Sequence, residues 1–353
     1  MNCMNPLTGF MDRAVRGEVS DDALARLSEN LEGSPVIAKY DPEDFHEDGI
    51  STGEILSVLE DDLIGAVQIG GSGDSVTNGN MNTAFSRIQE ANEEVQLPVL
   101  MEPGKTGDME NGGLDSDILT EPDIFNKPRV YNTGNAEWIT GHHRKFQRML
   151  NSKLDEKAEE MIDGKIREKL QDSLPGYTPF REALTDRVAG DYVSDIGEDG
   201  ARALARQAVD SSTVTEAYYV VNPDSTVAEI TDADQDILSM DYSEMVEDAR
   251  GVVSDLAQDG YEGIIYIESS GALAPPELVE EVKEEIDLHG IQGDTLLAYG
   301  GGIGGTETVD RLVYGSDIAE LPTEKQIDAY LENGADTVIV GNSFQEKGKE
   351  ALN

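Results

Sequence analysis

The chain has 353 residues, with 72 Asp+Glu against 26 Lys+Arg and a formal net charge of -46 at pH 7. Such a surface excludes nucleic acid as a partner, because neutralising phosphates takes clustered Lys and Arg. The acid is spread among 38% hydrophobic residues with strand-length apolar runs, which excludes a disordered acidic chain.

A compact fold under that self-repulsion reads as one adapted to molar salt, where the Debye length shrinks to roughly 3 Å. The one cysteine, Cys3, leaves no partner for an internal disulfide and no cysteine-based zinc site, which suits a reducing cytosol. The start of the chain lacks a basic n-region and an apolar h-region, and no stretch approaches the ~18 to 20 apolar residues that span a bilayer. The expectation is a soluble cytoplasmic protein without a transmembrane segment.

In chain order, residues 1–34 read as an N-terminal extension with a helix at 21–31 capped by Ser20. Strand-like runs then fall at 35–40, 64–69, 98–101, 129–131, 217–221, 263–267, 295–299 and 337–340, most of them separated by segments of helical period. Eight strands alternating with helices predict a (β/α)8 TIM barrel over 35–353. The surplus length lies in the extension, in a polar loop at 105–127, and in a helical insertion at about 151–212 between strands four and five.

Several predicted strands end in glycine. Strand six runs into Tyr266-Ile267-Glu268-Ser269-Ser270-Gly271, strand seven into Gly300-Gly301-Gly302-Ile303, and strand eight into Gly341-Asn342. In a parallel barrel, ligands bind at these strand ends. Glycine lets backbone N–H groups approach a phosphate closely, with the start of the next helix behind them. Strand one closes with Lys39-Tyr40-Asp41-Pro42, where Asp41 is a turn residue or a Mg²⁺ ligand, and strand two with Gly70-Gly71-Ser72. Gly300-x-Gly302-x-x-Gly305 formally matches a dinucleotide fingerprint, but it follows the seventh strand rather than the first of a βαβαβ unit.

Taken in order, Lys39-x-Asp41-Pro42, Gly70-Gly71-Ser72, Asn135-Ala136-x-Trp138-Ile139-x-Gly141, Tyr218-x-x-x-Asn222-Pro223-Asp224, Tyr266-x-Glu268-x-Ser270-Gly271, Tyr299 to Ile303 and Val340-Gly341-Asn342 form a series of motifs at strand ends. The series resembles the geranylgeranylglyceryl phosphate synthase family and its bacterial heptaprenylglyceryl phosphate synthase relatives. Departures are Tyr40 for a usual Leu, and Ile267 and Ser269 at positions where relatives commonly differ; none removes a ligand group.

The resemblance implies transfer of a prenyl group from its diphosphate to the 3-hydroxyl of sn-glycerol 1-phosphate, the first ether bond of archaeal lipids. It implies Glu268 as the base that takes the hydroxyl proton and Tyr266 as the group that orients the acceptor. Glycerol phosphate would be held by Lys39, Tyr266, Ile267, Glu268, Ser269, Ser270, Gly271, Gly302, Gly341 and Asn342, and Mg²⁺ by Asp41 with Ser72 adjacent. Phe146, on the helix after strand four, would fill the groove for the prenyl tail and favour a C20 or C25 donor over C35. Relatives commonly form dimers, so a homodimer is expected. The readings set against this one are another phosphate-binding barrel, such as a sugar-phosphate isomerase or lyase, and a catalytically silent barrel serving as a binding subunit. The isomerase or lyase uses Gly302 and Gly341 but gives Asp41 with Ser72 no role.

Overall fold

The computed structural model describes residues 23–46, 49–70, 78–102, 116–124, 185–186, 189–190, 193, 197–220, 242–268, 273–304, 317–341, 343–344 and 348–352. Eight parallel strands close into a barrel in sequence order: β1 (Val36–Tyr40), β2 (Ile64–Gly70), β3 (Val99–Glu102), β4 (Ile118–Ile124), β5 (Thr213–Val220), β6 (Gly263–Glu268), β7 (Thr295–Gly300) and β8 (Thr337–Val340). Closure is made by β1, which pairs with β2 on one side (Lys39 beside Gln68) and with β8 on the other (Val36 beside Val338).

Helices follow in order. α1 (Ala23–Leu31) precedes the barrel; α2 (Thr52–Leu59), α3 (Asn78–Val95), α4 (Glu198–Ser212), α5 (Tyr242–Gln258), α6 (Pro276–His289) and α7 (Thr323–Glu332) alternate with its strands. Their ends are written in the sequence. At α2, Ser51 and Glu54 exchange hydrogen bonds in a capping box, the Ser51 hydroxyl accepting from the Glu54 N–H and the Glu54 carboxylate from the Ser51 N–H. α6 opens on Pro276 and stops at Gly290, which adopts the left-handed conformation. α4 sets Ala201, Ala205, Ala208 and Val209 on its buried face and runs directly into β5.

Barrel strands bury both faces, so their apolar residues divide between two cores. Outward-facing residues such as Val36, Ala38, Val67, Ile69, Val338 and Val340 pack with the helices. The inward set includes Ile37, Ala66, Leu100, Val214, Ile264, Tyr266, Ala298 and Ile339, and is joined by Ala23, Leu27 and Leu31 of α1. The predicted N-terminal helix is therefore the floor of the barrel. It lies across the strand starts, where Gly65 leaves room for Leu31 and the Asn30 and Ser34 carbonyls, and the Arg26 guanidinium donates to the Asp117 carbonyl just before β4 at 3.2 Å. Full burial of Leu27 stabilises the fold by about 1.5 to 3 kcal/mol.

One predicted strand is corrected. Strand four is Ile118–Ile124, inside the stretch read as a polar loop, whereas 129–131 lies outside the described residues. Pro122, Asp117, Glu121 and Asp123 disguise it, since proline and acids are depleted in central strands. The register overrides that local bias: β4 pairs with β5 over six residues, from Leu119 beside Thr213 to Ile124 beside Tyr218. Strand five also begins earlier than predicted, at Thr213, which brings Glu216 into the barrel wall. Of the predicted insertion, the described part at 198–212 is α4.

Candidate active site at the strand ends

Two-residue alternation carries each inward stripe from an apolar to a polar residue as the strands rise. Ile37 is followed by Lys39, Ala66 by Gln68, Leu100 by Glu102, Val214 by Glu216, and Ile264 by Tyr266 and then Glu268. The C-terminal end of the barrel interior is thus charged where its N-terminal end is greasy. Among the described residues, the group is one ammonium with three carboxylates.

The geometry ties these groups together. The Lys39 Nζ donates to Glu102 Oε2 at 2.6 Å. On the other wall, the Tyr266 hydroxyl donates to Glu268 Oε2 in a short hydrogen bond, with Tyr266 buried and Glu268 8% exposed. This pair exists because β7 ends in glycine: a Cβ on Gly300 would overlap the Tyr266 hydroxyl and ring. Burial of Lys39 works against its charge. The carboxylates of Glu102, Glu268 and Glu216, together with the Glu102 hydrogen bond, outweigh that penalty and hold the ammonium protonated well above the usual lysine range. Glu216 and Gln68 are fully buried, and the Gln68 amide has no hydrogen-bond partner among the described residues.

Asp41 stands just past β1. It caps the short 3₁₀ turn Pro42–Asp44, its Oδ1 accepting from the Glu43 N–H at 3.0 Å. Tyr40 packs edge-on against Phe45, with ring centroids 6.1 Å apart, which anchors this turn to the wall. Burial pushes the Asp41 carboxyl up to about 6, partly offset by the Glu43 N–H. One such carboxylate fits Mg²⁺, which takes one or two carboxylates and completes its shell with waters and phosphate oxygens. No group of three or more metal-ligating side chains occurs among the described residues.

Ahead of α6, Ala274 is anchored by a pair of stacked tyrosines. Tyr299 stacks on Tyr330 with centroids 3.5 Å apart, the Tyr299 hydroxyl accepts from the Ala274 N–H, and the Tyr330 hydroxyl donates to the Ala274 carbonyl. After β7, Gly301 and Gly302 both take positive φ. Gly341, after β8, is uncrowded: among the described residues, a Cβ there would meet the Lys39 carbonyl at 3.8 Å and nothing nearer.

Of the residues singled out from sequence, Lys39, Asp41, Tyr266, Ile267, Glu268, Gly302 and Gly341 are described. Lys39, Tyr266 and Glu268 share the inner face, whereas Ile267 faces outward into the helix-side core. Ser72, Phe146, Ser269, Ser270, Gly271 and Asn342 lie outside the described residues. Sequence reasoning overlooks Glu102, Glu216 and Gln68. Glu102 had a signal, an acid two residues past Leu100 at a strand end and followed by Pro103, much as Asp41 precedes Pro42. At the far end, a cavity of about 620 Å³ opens between α1 and the starts of β5, β6 and β7, on the side of the barrel that stabilises rather than reacts.

The profile of the PcrB family matches residues 180–353. The chain is 32% identical over 287 residues to a heptaprenylglyceryl phosphate synthase of Bacillus velezensis, covering 81% of this chain and 82% of that protein. It is 26% identical over 317 residues to a geranylgeranylglyceryl phosphate synthase of Natronomonas pharaonis, covering 90% of this chain and 91% of the relative. A geranylgeranylglyceryl phosphate synthase of Halobacterium salinarum is also 26% identical over 317 residues, with 90% of each chain covered.

Proposed function

We propose, because the chain belongs to the PcrB family together with the geranylgeranylglyceryl and heptaprenylglyceryl phosphate synthases, that it transfers a prenyl group from its diphosphate to the 3-hydroxyl of sn-glycerol 1-phosphate. The observation that carries this reading is the buried Tyr266–Glu268 pair facing Lys39 at the reactive end of the barrel.

The reaction breaks the bond between the allylic carbon and the diphosphate oxygen, which departs with the electron pair, and forms an ether bond from the glycerol 3-hydroxyl. Glu268 accepts the hydroxyl proton as that oxygen attacks, and the Tyr266 O–H fixes the carboxylate so that its other oxygen faces the acceptor. The backbone N–H groups around Gly302 and Gly341, with Lys39, receive the glycerol phosphate. Asp41, just past β1, together with Ser72, two residues past the end of the neighbouring strand β2, would hold Mg²⁺, which supplies charge neutralisation to the leaving diphosphate when bound. The water-poor interior below, lined by Ile37, Leu100 and Ile339, strengthens each of these electrostatic contacts.

The donor is read as C20 or C25 because Phe146 would narrow the tail groove; the 32% identity to a heptaprenyl enzyme favours a C35 donor as the second reading. Competition between C20 and C35 diphosphates, before and after Phe146→Ala, decides between them. No helix among the described residues is long and apolar enough to cross a membrane. The enzyme is read as a cytoplasmic homodimer.

The test is diphosphate release in molar salt. It should require both sn-glycerol 1-phosphate and Mg²⁺. Release with a sugar phosphate in place of glycerol phosphate, or no release from folded protein, would overturn the assignment.

A further inference from the structure

Lys39 reaches the barrel mouth already engaged. Its Nζ lies 2.6 Å from Glu102 Oε2, and the two side chains are 21% and 11% exposed, shielded enough that solvent does not dissolve the pair. Glu102 owes its place to the end of the neighbouring strand: a Cβ on Gly70 would lie 2.5 Å from the Glu102 Cβ and 2.8 Å from Oε2. The register repeats this, with Gly70 beside Glu102 and Lys39 beside Gln68, so the pair spans β1, β2 and β3. A phosphate drawn toward Lys39 therefore meets an ion pair whose charges largely cancel, backed by Glu216 and Glu268, rather than a lone cation.

We propose that Glu102 is a built-in competitor for the anionic group that Lys39 serves: it occupies the ammonium in the free protein, and a polyanionic phosphate takes Lys39 from it on binding. The device sets a threshold. A monovalent anion gains too little from one ammonium to displace a carboxylate held in place by the wall, whereas a phosphate dianion gains more and also draws on the backbone N–H groups across the mouth. Glu102 is thus a positioning residue that acts through Lys39 on affinity and anion selectivity. The inference rests on the phosphate-binding reading of the mouth, but not on prenyl transfer itself.

The experiment measures inorganic phosphate binding by calorimetry at fixed ionic strength, for wild type, Glu102→Gln, Lys39→Met and the double variant, each checked for folding by its melting curve. Removing a like charge from the path of the anion should tighten phosphate binding at least tenfold in Glu102→Gln, and the gain should vanish in the Lys39→Met background. In turnover, the KM for glycerol phosphate should fall by more than kcat changes, a split that a merely structural role would not produce. Unchanged or weaker phosphate binding by folded Glu102→Gln would overturn the proposal, as would a gain that persists without Lys39. Should Glu102→Gln fail to fold, the Lys39 ammonium resonance of wild type gives the answer. It should move when inorganic phosphate is added and stay still with chloride; no movement with phosphate contradicts the proposal. Phosphate binding that behaves as stated in a protein without transfer activity would sink the enzymatic reading and leave this one standing.

Discussion

The two ends of this barrel interior are built from the same strands and do opposite things. At the strand starts, Val214, Ile264 and Ile37 belong to one buried apolar cluster with Leu27 and Leu31 of α1. Two to four residues further along the same strands, Lys39, Glu102, Glu216 and Glu268 crowd charges together with Tyr266. Burying charge costs several kcal/mol per ion unless it is matched, so the mouth is a place where stability is spent and the floor a place where it is gained. Closing the barrel with α1 lets the opposite end be reactive.

That contrast can be broken in graded ways. The largest effect is expected at the mouth: Glu268→Gln keeps the shape and the Tyr266 contact but lacks a basic oxygen, so turnover should fall by about 10² to 10⁴-fold with little change in melting temperature. A loss of folding with retained specific activity would reverse the roles of the two ends. Leu27→Ala probes the floor. It should cost about 2 to 5 kcal/mol in denaturant unfolding while leaving turnover at low temperature near wild type. A smaller effect is carried by pH. The Asp41 carboxyl is raised from 3.8 to about 6 mainly by burial, so its contribution to folding is present in full below 3.8 and lost as pH rises through 6. Metal binding needs the ionised form, so Mg²⁺ affinity should climb by up to ~tenfold per pH unit below 6 and level off above it, and Asp41→Asn should abolish the dependence. The smallest, spread over the whole surface, is salt: with a formal net charge of -46, the melting temperature should fall in dilute buffer and recover in molar salt.

Most of the fold is legible in the sequence because barrel strands are short, β-branched and punctuated by glycine. Strand four is the exception, since Pro122 and its flanking acids speak against a strand until the six-residue register with β5 is known. The site is legible in part. Glu268 and Tyr266 stand out as polar residues two apart beside glycine, and alternation puts them on one face. The Lys39–Glu102 pair is not readable, because 63 residues separate its members and only the β1-β2-β3 register brings them to 2.6 Å. Nor does a helix at 23–31 announce that it floors a barrel; that depends on Gly65 leaving room for it at the start of β2.

The most direct test of the account follows one oxygen atom. sn-Glycerol 1-phosphate labelled with ¹⁸O at the 3-hydroxyl is incubated with a prenyl diphosphate, and product and released diphosphate are weighed by mass spectrometry. If Glu268 deprotonates that hydroxyl for attack on the allylic carbon, the label is carried in full into the ether and none appears in diphosphate. Label in the diphosphate, or a product lacking the labelled ether, would contradict the assignment of the barrel mouth.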